Sequence, residues 1–333
     1  MNSYAGGEQR GAVQMTIETV PGTDIQYYLV NFDKNGEERA DDPDGIDGKL
    51  SLRILRDIAE RPVTDVFFIS HGWQGDVPAA KRQYNKWIAA MAACTADREA
   101  MREKDPAFAP LLVGLHWPSL PWGEEDPDSA VSFSITPGAG GDDLIDEAAD
   151  AVADTPRARQ ALETIFAAAA DNLLPETLPD DVAGAYRVLF EEAGLAAEGP
   201  AGAPGADAED FDPEQAYQNA RSTTGIAFGG GFRDGLLAPL RQLSFWQMKK
   251  RARAFGESGA TGLLRDVMTT APGSGRASVR AHLMGHSFGC IVMSATVAAG
   301  GAPLPRPVDT LYLVQGAFSL WSCSRPIPVA PGK

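Results

Sequence analysis

The stretch that most constrains the fold is an apolar run that passes through a glycine-bounded turn into a second apolar run. Residues 280–293 read Arg-Ala-His-Leu-Met-Gly-His-Ser-Phe-Gly-Cys-Ile-Val-Met, which predicts a strand, a Gly-x-Ser-x-Gly turn and the start of a helix. At such a turn the serine projects from the sheet, and Gly285 and Gly289 let the backbone approach closely. We predict that Ser287 is a nucleophile and that the N–H of Phe288, at a helix N-terminus, faces developing negative charge. A purely structural glycine-rich turn is the alternative.

Apolar runs near residues 66–70, 111–116, 281–285 and 310–315 predict further strands of one sheet. Their nearly all-apolar composition is typical of parallel strands buried on both faces. Helical patterns separate them, so we expect parallel neighbours, with 281–285 beside 66–70. Residues 13–32 predict two more strands joined by a turn. The predicted fold class is therefore α/β, with a mostly parallel central sheet flanked by helices and a helical acidic insertion.

A His-Gly pair follows the first of the buried strands. The order of buried strand, His71-Gly72, helix, strand and later serine elbow resembles the α/β-hydrolase superfamily, particularly its lipase- and esterase-like serine hydrolases. The resemblance implies a second oxyanion-hole donor on this loop, which would be the N–H of Trp73 beside that of Phe288. It also implies that His71 and Gly72 shape the loop, although His71 could simply be a strand-end histidine satisfied by backbone groups. The resemblance covers residues 13–122 and 240–320.

An aromatic, proline-rich loop follows the strand near residues 111–116. If the sheet is parallel, this loop lies at the same edge as the serine, where ligands bind in open α/β sheets. His116, Trp117 and Trp122 could line an acyl pocket there, or the aromatic rings could simply pack.

The negative charge of the chain is concentrated in one segment. Residues 124–214 contain 23 acidic and 3 basic residues, a net charge of −20, whereas the whole chain has −16. We predict an α/β-hydrolase-like core in two parts, 1–122 and 236–333, the second carrying the elbow. Between them, 123–235 forms a mainly helical acidic insertion, either a cap or a surface decoration, with a disordered stretch near 198–212. Nucleic acid is an unfavourable partner because like charges repel.

Composition limits the remaining possibilities. Cys94, Cys290 and Cys323 are few and widely spaced, so neither a disulfide framework nor a zinc site is predicted. Residues 1–14 lack the apolar core of a signal peptide, and no apolar span is long enough to form an integral membrane segment. We expect a cytoplasmic protein with no metal or organic cofactor; its oligomeric state stays open.

The resemblance breaks after the serine. In the superfamily an acid and a histidine follow the nucleophile, whereas Asp309, at the start of a strand, is the only acid after Ser287. Three explanations remain: the chain is the N-terminal part of a longer protein, it is a non-catalytic relative, or a histidine out of order serves as base. Only His116 suits the last explanation. All four histidines precede Ser287: His71, His116, His282 and His286.

The function that these observations predict is acyl transfer from a small-molecule or lipid-like ester to Ser287. Serine is a poor nucleophile without an adjacent base, so the chain as given would be incomplete. The rival hypothesis is a catalytically silent α/β-hydrolase-fold protein that binds partners through its acidic insertion.

Overall fold

The computed structural model describes residues 17–73, 77–119, 141–170, 175–195, 211–223, 233–298 and 303–318. The chain divides into two compact units. The sheet unit contains the described residues of Met1–Pro118 and Arg253–Gly316, and the helical unit contains those of Ser119–Ala252 and Ala317–Lys333. Leu236–Ala252, which we had predicted in the second part of the core, thus belongs with the helical unit. The stretch near 198–212 lies outside the described residues except for its last two positions.

The sheet unit is built on six strands in the order β1-β2-β4-β3-β5-β6. Only β1 is antiparallel to its neighbour, and all other pairs are parallel. The predicted α/β class is confirmed, as is the parallel pairing of residues 281–285 with 66–70. The strands are β1 Ile17–Thr19, β2 Gln26–Asn31, β3 Asp65–Ser70, β4 Pro110–His116, β5 Arg280–His286 and β6 Thr310–Val314.

Helices cover both faces of this sheet. Tyr84 and Ile88 of α2 pack with Leu29 of β2 in one apolar cluster. Tyr28, the preceding residue, instead hydrogen bonds Asp57 of α1. Because successive residues of a strand face opposite sides, α1 and α2 lie on opposite faces. The helical segments are α1 Leu50–Glu60, α2 Val77–Ala93, α3 Thr95–Lys104, a π-helical turn Gly256–Ala260, α10 Thr261–Thr269 and α11 Phe288–Ala298.

The described parts of the acidic segment are mainly helical. Pro156 begins one helix, where its missing N–H is not needed, and the hydroxyl of Thr155 accepts the N–H of Ala158 at 3.1 Å. Small and branched apolar side chains such as Ala161, Leu162 and Leu189 form the core of the helical unit. Its helices are α4 Gly141–Ala151, α5 Pro156–Ala170, α6 Asp180–Glu192, α7 Pro213–Thr223 and α8 Arg233–Leu236, and α9 Ala238–Phe255 crosses the boundary into the sheet unit.

One strand differs from its prediction. We expected the run at residues 310–315 to be buried, but β6 lies at the edge of the sheet formed by the described strands, and four of its five residues are exposed. The apolar composition of this run predicted a strand correctly but predicted its burial wrongly. Composition does not determine the position that a strand takes in the sheet.

In the described part of the chain, no helix combines the length and the apolar character needed to cross a bilayer.

Candidate functional site

Ser287 lies at the turn between β5 and α11. Its φ angle is 52°, in the left-handed region that few residues other than glycine occupy. Its backbone N–H donates to the carbonyl of Val314, the last residue of β6, at 3.0 Å. Its carbonyl accepts the N–H of Cys290 at 3.1 Å. The turn is therefore the strained strand-to-helix elbow that the sequence predicted.

Glycines make this elbow possible. A Cβ at Gly285 would lie 2.3 Å from the carbonyl oxygen of Gly289. A Cβ at Gly289 would lie 2.3 Å from the carbonyl oxygen of Ser70 and 2.6 Å from that of His71. These obstructing atoms belong to backbone and cannot swing away, so larger residues at either glycine would push the elbow apart.

The loop after β3 passes directly beside the serine. A Cβ at Gly72 would lie 2.9 Å from Cβ of Ser287, so the loop approaches the elbow as closely as a residue without a side chain allows. The rings of Trp73 and Phe288 lie 5.9 Å apart between centroids. The two residues predicted to supply oxyanion donors are thus neighbours at the serine.

His71 and His116 are buried together behind this loop. The Nδ1–H of His71 donates to the carbonyl of Gly72 at 2.7 Å, so its Nε2 accepts the Nδ1–H of His116 at 3.1 Å. Burial lowers the pKa of His71 to about 4. Burial, His71 and Arg39 lower the pKa of His116 well below its usual value. Both rings are therefore neutral near pH 7 and fix the loop in place.

Trp117 completes this cluster, and Tyr84 anchors it. The Trp117 ring stacks on His71 with an interplanar angle of 6° and is 1% exposed, so it packs in the core. The hydroxyl of Tyr84 accepts the N–H of His71 and donates to the carbonyl of Leu115. Our sequence reasoning missed Tyr84, whose only signal was its place on the predicted helix 79–93. Trp122 lies outside the described residues.

Among the described residues, no histidine hydrogen bonds the hydroxyl of Ser287. His116 ends β4, and β3 separates it from β5, which is two strand spacings or about 10 Å. The ring of His286 turns to α2, where its Nδ1 accepts from Gln83 at 3.2 Å, while its Nε2 faces Gln315 at 3.1 Å. In the described part of the chain, no histidine is therefore placed as a base for Ser287.

A second polar cluster lies at the opposite, amino end of the strands. Arg280 holds Asp65 through two hydrogen bonds of 2.7 and 2.8 Å and also reaches Asp105. Burial opposes ionisation of Asp65, but hydrogen bonds from His282, Arg280 and Thr64 outweigh it and lower the pKa of that carboxyl. This cluster joins β3 to β5 and is remote from Ser287.

Asp309 also lies at the amino end of the strands. Its carboxylate accepts the N–H of Ala281 and pairs with Arg306 at 2.8 Å. Asp309, the one acid that follows Ser287 in the sequence, is thus already hydrogen bonded, and it lies at the end of the strands opposite to Ser287.

A cavity of about 560 Å³ opens at this amino end, beside Gln26 and Pro110, which begin β2 and β4. Phe67 and Leu112 form part of its apolar lining, and Ser287 is not among its residues. In the ranges that the structure describes, no group of three or more histidine, cysteine or acidic side chains is placed to hold a metal ion.

Comparison of the chain with models of protein families, with curated proteins and with solved structures finds no match. The geometry of the site is therefore the basis for any functional conclusion.

Proposed function

We propose that this chain is a serine hydrolase of the α/β-hydrolase type that transfers an acyl group from an ester-like substrate to Ser287. The observation that carries the proposal is the left-handed φ of 52° at Ser287, between two glycines at which a Cβ would lie 2.3 Å from backbone oxygens. A strained serine at a strand-to-helix turn is the arrangement that exposes a nucleophilic hydroxyl.

The surroundings of Ser287 support a role for backbone donors. The residue after the nucleophile, Phe288, is the first residue of α11, and the N-terminus of a helix favours negative charge. The loop of Gly72 and Trp73 touches the elbow. In the proposed reaction the serine oxygen attacks the ester carbonyl, and the N–H groups of Phe288 and Trp73 stabilise the resulting oxyanion. The alcohol then leaves and water releases the acid.

The base that receives the serine proton is proposed to lie outside the described residues. The buried, neutral pair of His71 and His116 supports this, because each ring is committed to holding the loop. Without its base, a related catalytic centre retains only a residual rate, about 10³- to 10⁴-fold above that in water.

The same observation favours the second candidate, a catalytically silent protein that uses this fold for binding. A fold that keeps the elbow but has no base would present Ser287 as a hydrogen-bonding group only. The two candidates predict different chemical reactivity at this residue.

Labelling with a fluorophosphonate probe separates the two candidates. The 333-residue chain should react slowly, and Ser287→Ala should abolish the reaction. Ser294→Ala is the matched control, because Ser294 lies on the same helix α11, two turns from the elbow, and its loss should leave labelling unchanged.

Labelling that survives Ser287→Ala would exclude Ser287 as the nucleophile. A folded chain that does not label at all would favour the silent protein. If the natural reading frame continues beyond Lys333 and the longer protein labels rapidly, the base belongs to the added segment.

A further inference from the structure

The cavity at the amino end of the strands lies between the sheet and the helices α2 and α3. Phe67 of β3 and Leu112 of β4 are paired in register, so their side chains lie side by side on the sheet face that α2 covers. Ile88 and Met91, near the end of α2, line the same space. Every lining residue falls within 24–112, a range that the structure describes apart from residues 74–76.

Helix α3 lines the outer side of this cavity but buries none of its ten residues. Met101 is its one large apolar side chain and is 36% exposed, so α3 has no apolar stripe to press onto the sheet. Contacts at both ends hold the helix. The guanidinium of Arg98 donates to the carbonyl of Ala92 in α2 at 2.9 Å, and Asp105, directly after α3, accepts from Arg276 at 2.6 and 2.7 Å. The space beneath the middle of α3 therefore stays open.

The large apolar side chains around this space keep part of their surface exposed. Ile25, Phe67, Met91, Phe108 and Leu112 line the cavity, and each is only partly buried. Protein interiors are close-packed, so side chains that face an unfilled volume lose contacts that a bound molecule would restore. The volume of about 560 Å³ lies within the range of ligand pockets, about 300–1,000 Å³, which are concave and mainly apolar.

The charged residues around the cavity favour an uncharged occupant. Asp24, Arg61, Asp97 and Arg98 are among the lining residues, and their formal charges sum to zero. Both arginines already have partners, because Arg61 pairs with Asp57 at 3.5 Å and Arg98 holds the end of α2. Both lining aspartates are exposed, so water weakens their attraction for a cation. Neither an anion nor a cation is therefore strongly favoured.

We propose that this cavity binds an uncharged, mainly apolar small molecule. Met91 and Met101 suit such a ligand, because the flexible thioether side chain adapts to different apolar shapes. The site is distinct from the elbow. Ser287 follows the carboxyl end of β5, whereas the cavity lies at the amino end of strands that are six or seven residues, or about 20 Å, long. The inference goes beyond the proposed hydrolase function and does not depend on it.

Nile red, an uncharged dye that fluoresces in apolar surroundings, tests binding to the full chain. We expect saturable binding of one dye per chain, with a dissociation constant in the micromolar range. Ala92→Trp fills the cavity from the end of α2 and should weaken binding at least tenfold. Ala90→Trp is the matched control and should bind the dye like the unmodified chain, because Ala90 is exposed on the same helix and does not line the cavity.

A second pair of variants lies on α3, where no residue is buried and folding should tolerate both changes. Met101→Asp places a short charged side chain in the cavity wall and should weaken Nile red binding at least fivefold, because an apolar ligand would desolvate the charge. Ala100→Asp adds the same charge at an exposed position outside the lining and should leave binding unchanged. Equal dissociation constants for these two variants, or a full chain that does not bind Nile red saturably, would overturn the proposal.

Competition identifies the chemical class and the place of binding. Decanol should displace Nile red at a lower concentration than decanoate or decylammonium, which carry a negative or a positive group on the same chain length. Stronger displacement by either ion would refute an uncharged ligand. Ser287→Ala should bind Nile red like the unmodified chain, and a loss of binding in that variant would place the dye at the serine and refute the site at the amino end.

Discussion

Replacing Gly289 by Ala tests the close approach on which the elbow depends. The added Cβ would lie 2.3 Å from the carbonyl oxygen of Ser70 and 2.6 Å from that of His71. An ordinary contact needs at least 3.4 Å, so the start of α11 or the end of β3 must move by about 1 Å. Overpacking of this kind destabilises by about 1–3 kcal/mol.

Gly262 supplies a matched control in the same unit. It is the second residue of helix α10, as Gly289 is of α11. A Cβ at Gly262 meets nothing within 4 Å. Alanine is favoured over glycine in a helix by about 1 kcal/mol, so Gly262→Ala should stabilise the chain slightly. Because the same gain applies to Gly289→Ala, the two variants should differ by the overpacking cost alone, about 1–3 kcal/mol.

Thermal and denaturant unfolding of the two variants measures this difference. For units of 150–250 residues, 1 kcal/mol shifts the melting temperature by about 2–4 °C, so Gly289→Ala should melt about 2–12 °C below Gly262→Ala. Equal melting temperatures for the two variants would show that the elbow does not pack against the end of β3. That result would also contradict the strained conformation proposed for Ser287.

Two further predictions concern buried ionisable groups. In the unfolded chain His71 takes up a proton as the pH falls below about 6.5, whereas in the folded chain burial delays this until about pH 4. The contribution of neutral His71 to the free energy of unfolding is therefore complete above pH 6.5, and about 3 kcal/mol is lost as the pH falls towards 4. The pH profile of unfolding for His71→Gln should lack that component, and matching profiles would contradict the assignment. Asp65→Asn should lower the free energy of unfolding by about 1–3 kcal/mol, because Arg280 and His282 lose a charged acceptor. Asp105→Asn should cost less in the same denaturant titration, since Asp105 is more exposed, and an equal cost would show that burial is not decisive.

The sequence was sufficient to predict the strands and the elbow because both leave strong local patterns. Short apolar runs rich in valine, isoleucine and phenylalanine, such as residues 66–70, are typical of buried strands, and the glycines around Ser287 fit few other backbone geometries. Helix α3 was missed for the opposite reason. It buries none of its residues, so no apolar periodicity marks it.

The rest of the site depends on contacts that local sequence does not encode. His71 and His116 are 45 residues apart and meet because Ser70 and Leu115 are paired in the register of β3 and β4. That register is set by the packing of the whole sheet. The neutral state of both histidines follows from burial, which a sequence pattern alone does not measure.

The left-handed backbone conformation of Ser287 affects which residues folding stability favours at this position. A left-handed conformation costs an L-amino acid about 1–2 kcal/mol, and glycine adopts it freely. Judged by folding alone, glycine would therefore be the better residue at position 287, and mutational drift under selection for stability would remove the serine. By this estimate the serine at position 287 costs folding stability relative to glycine, so Ser287→Gly should unfold at a higher temperature than the unmodified chain.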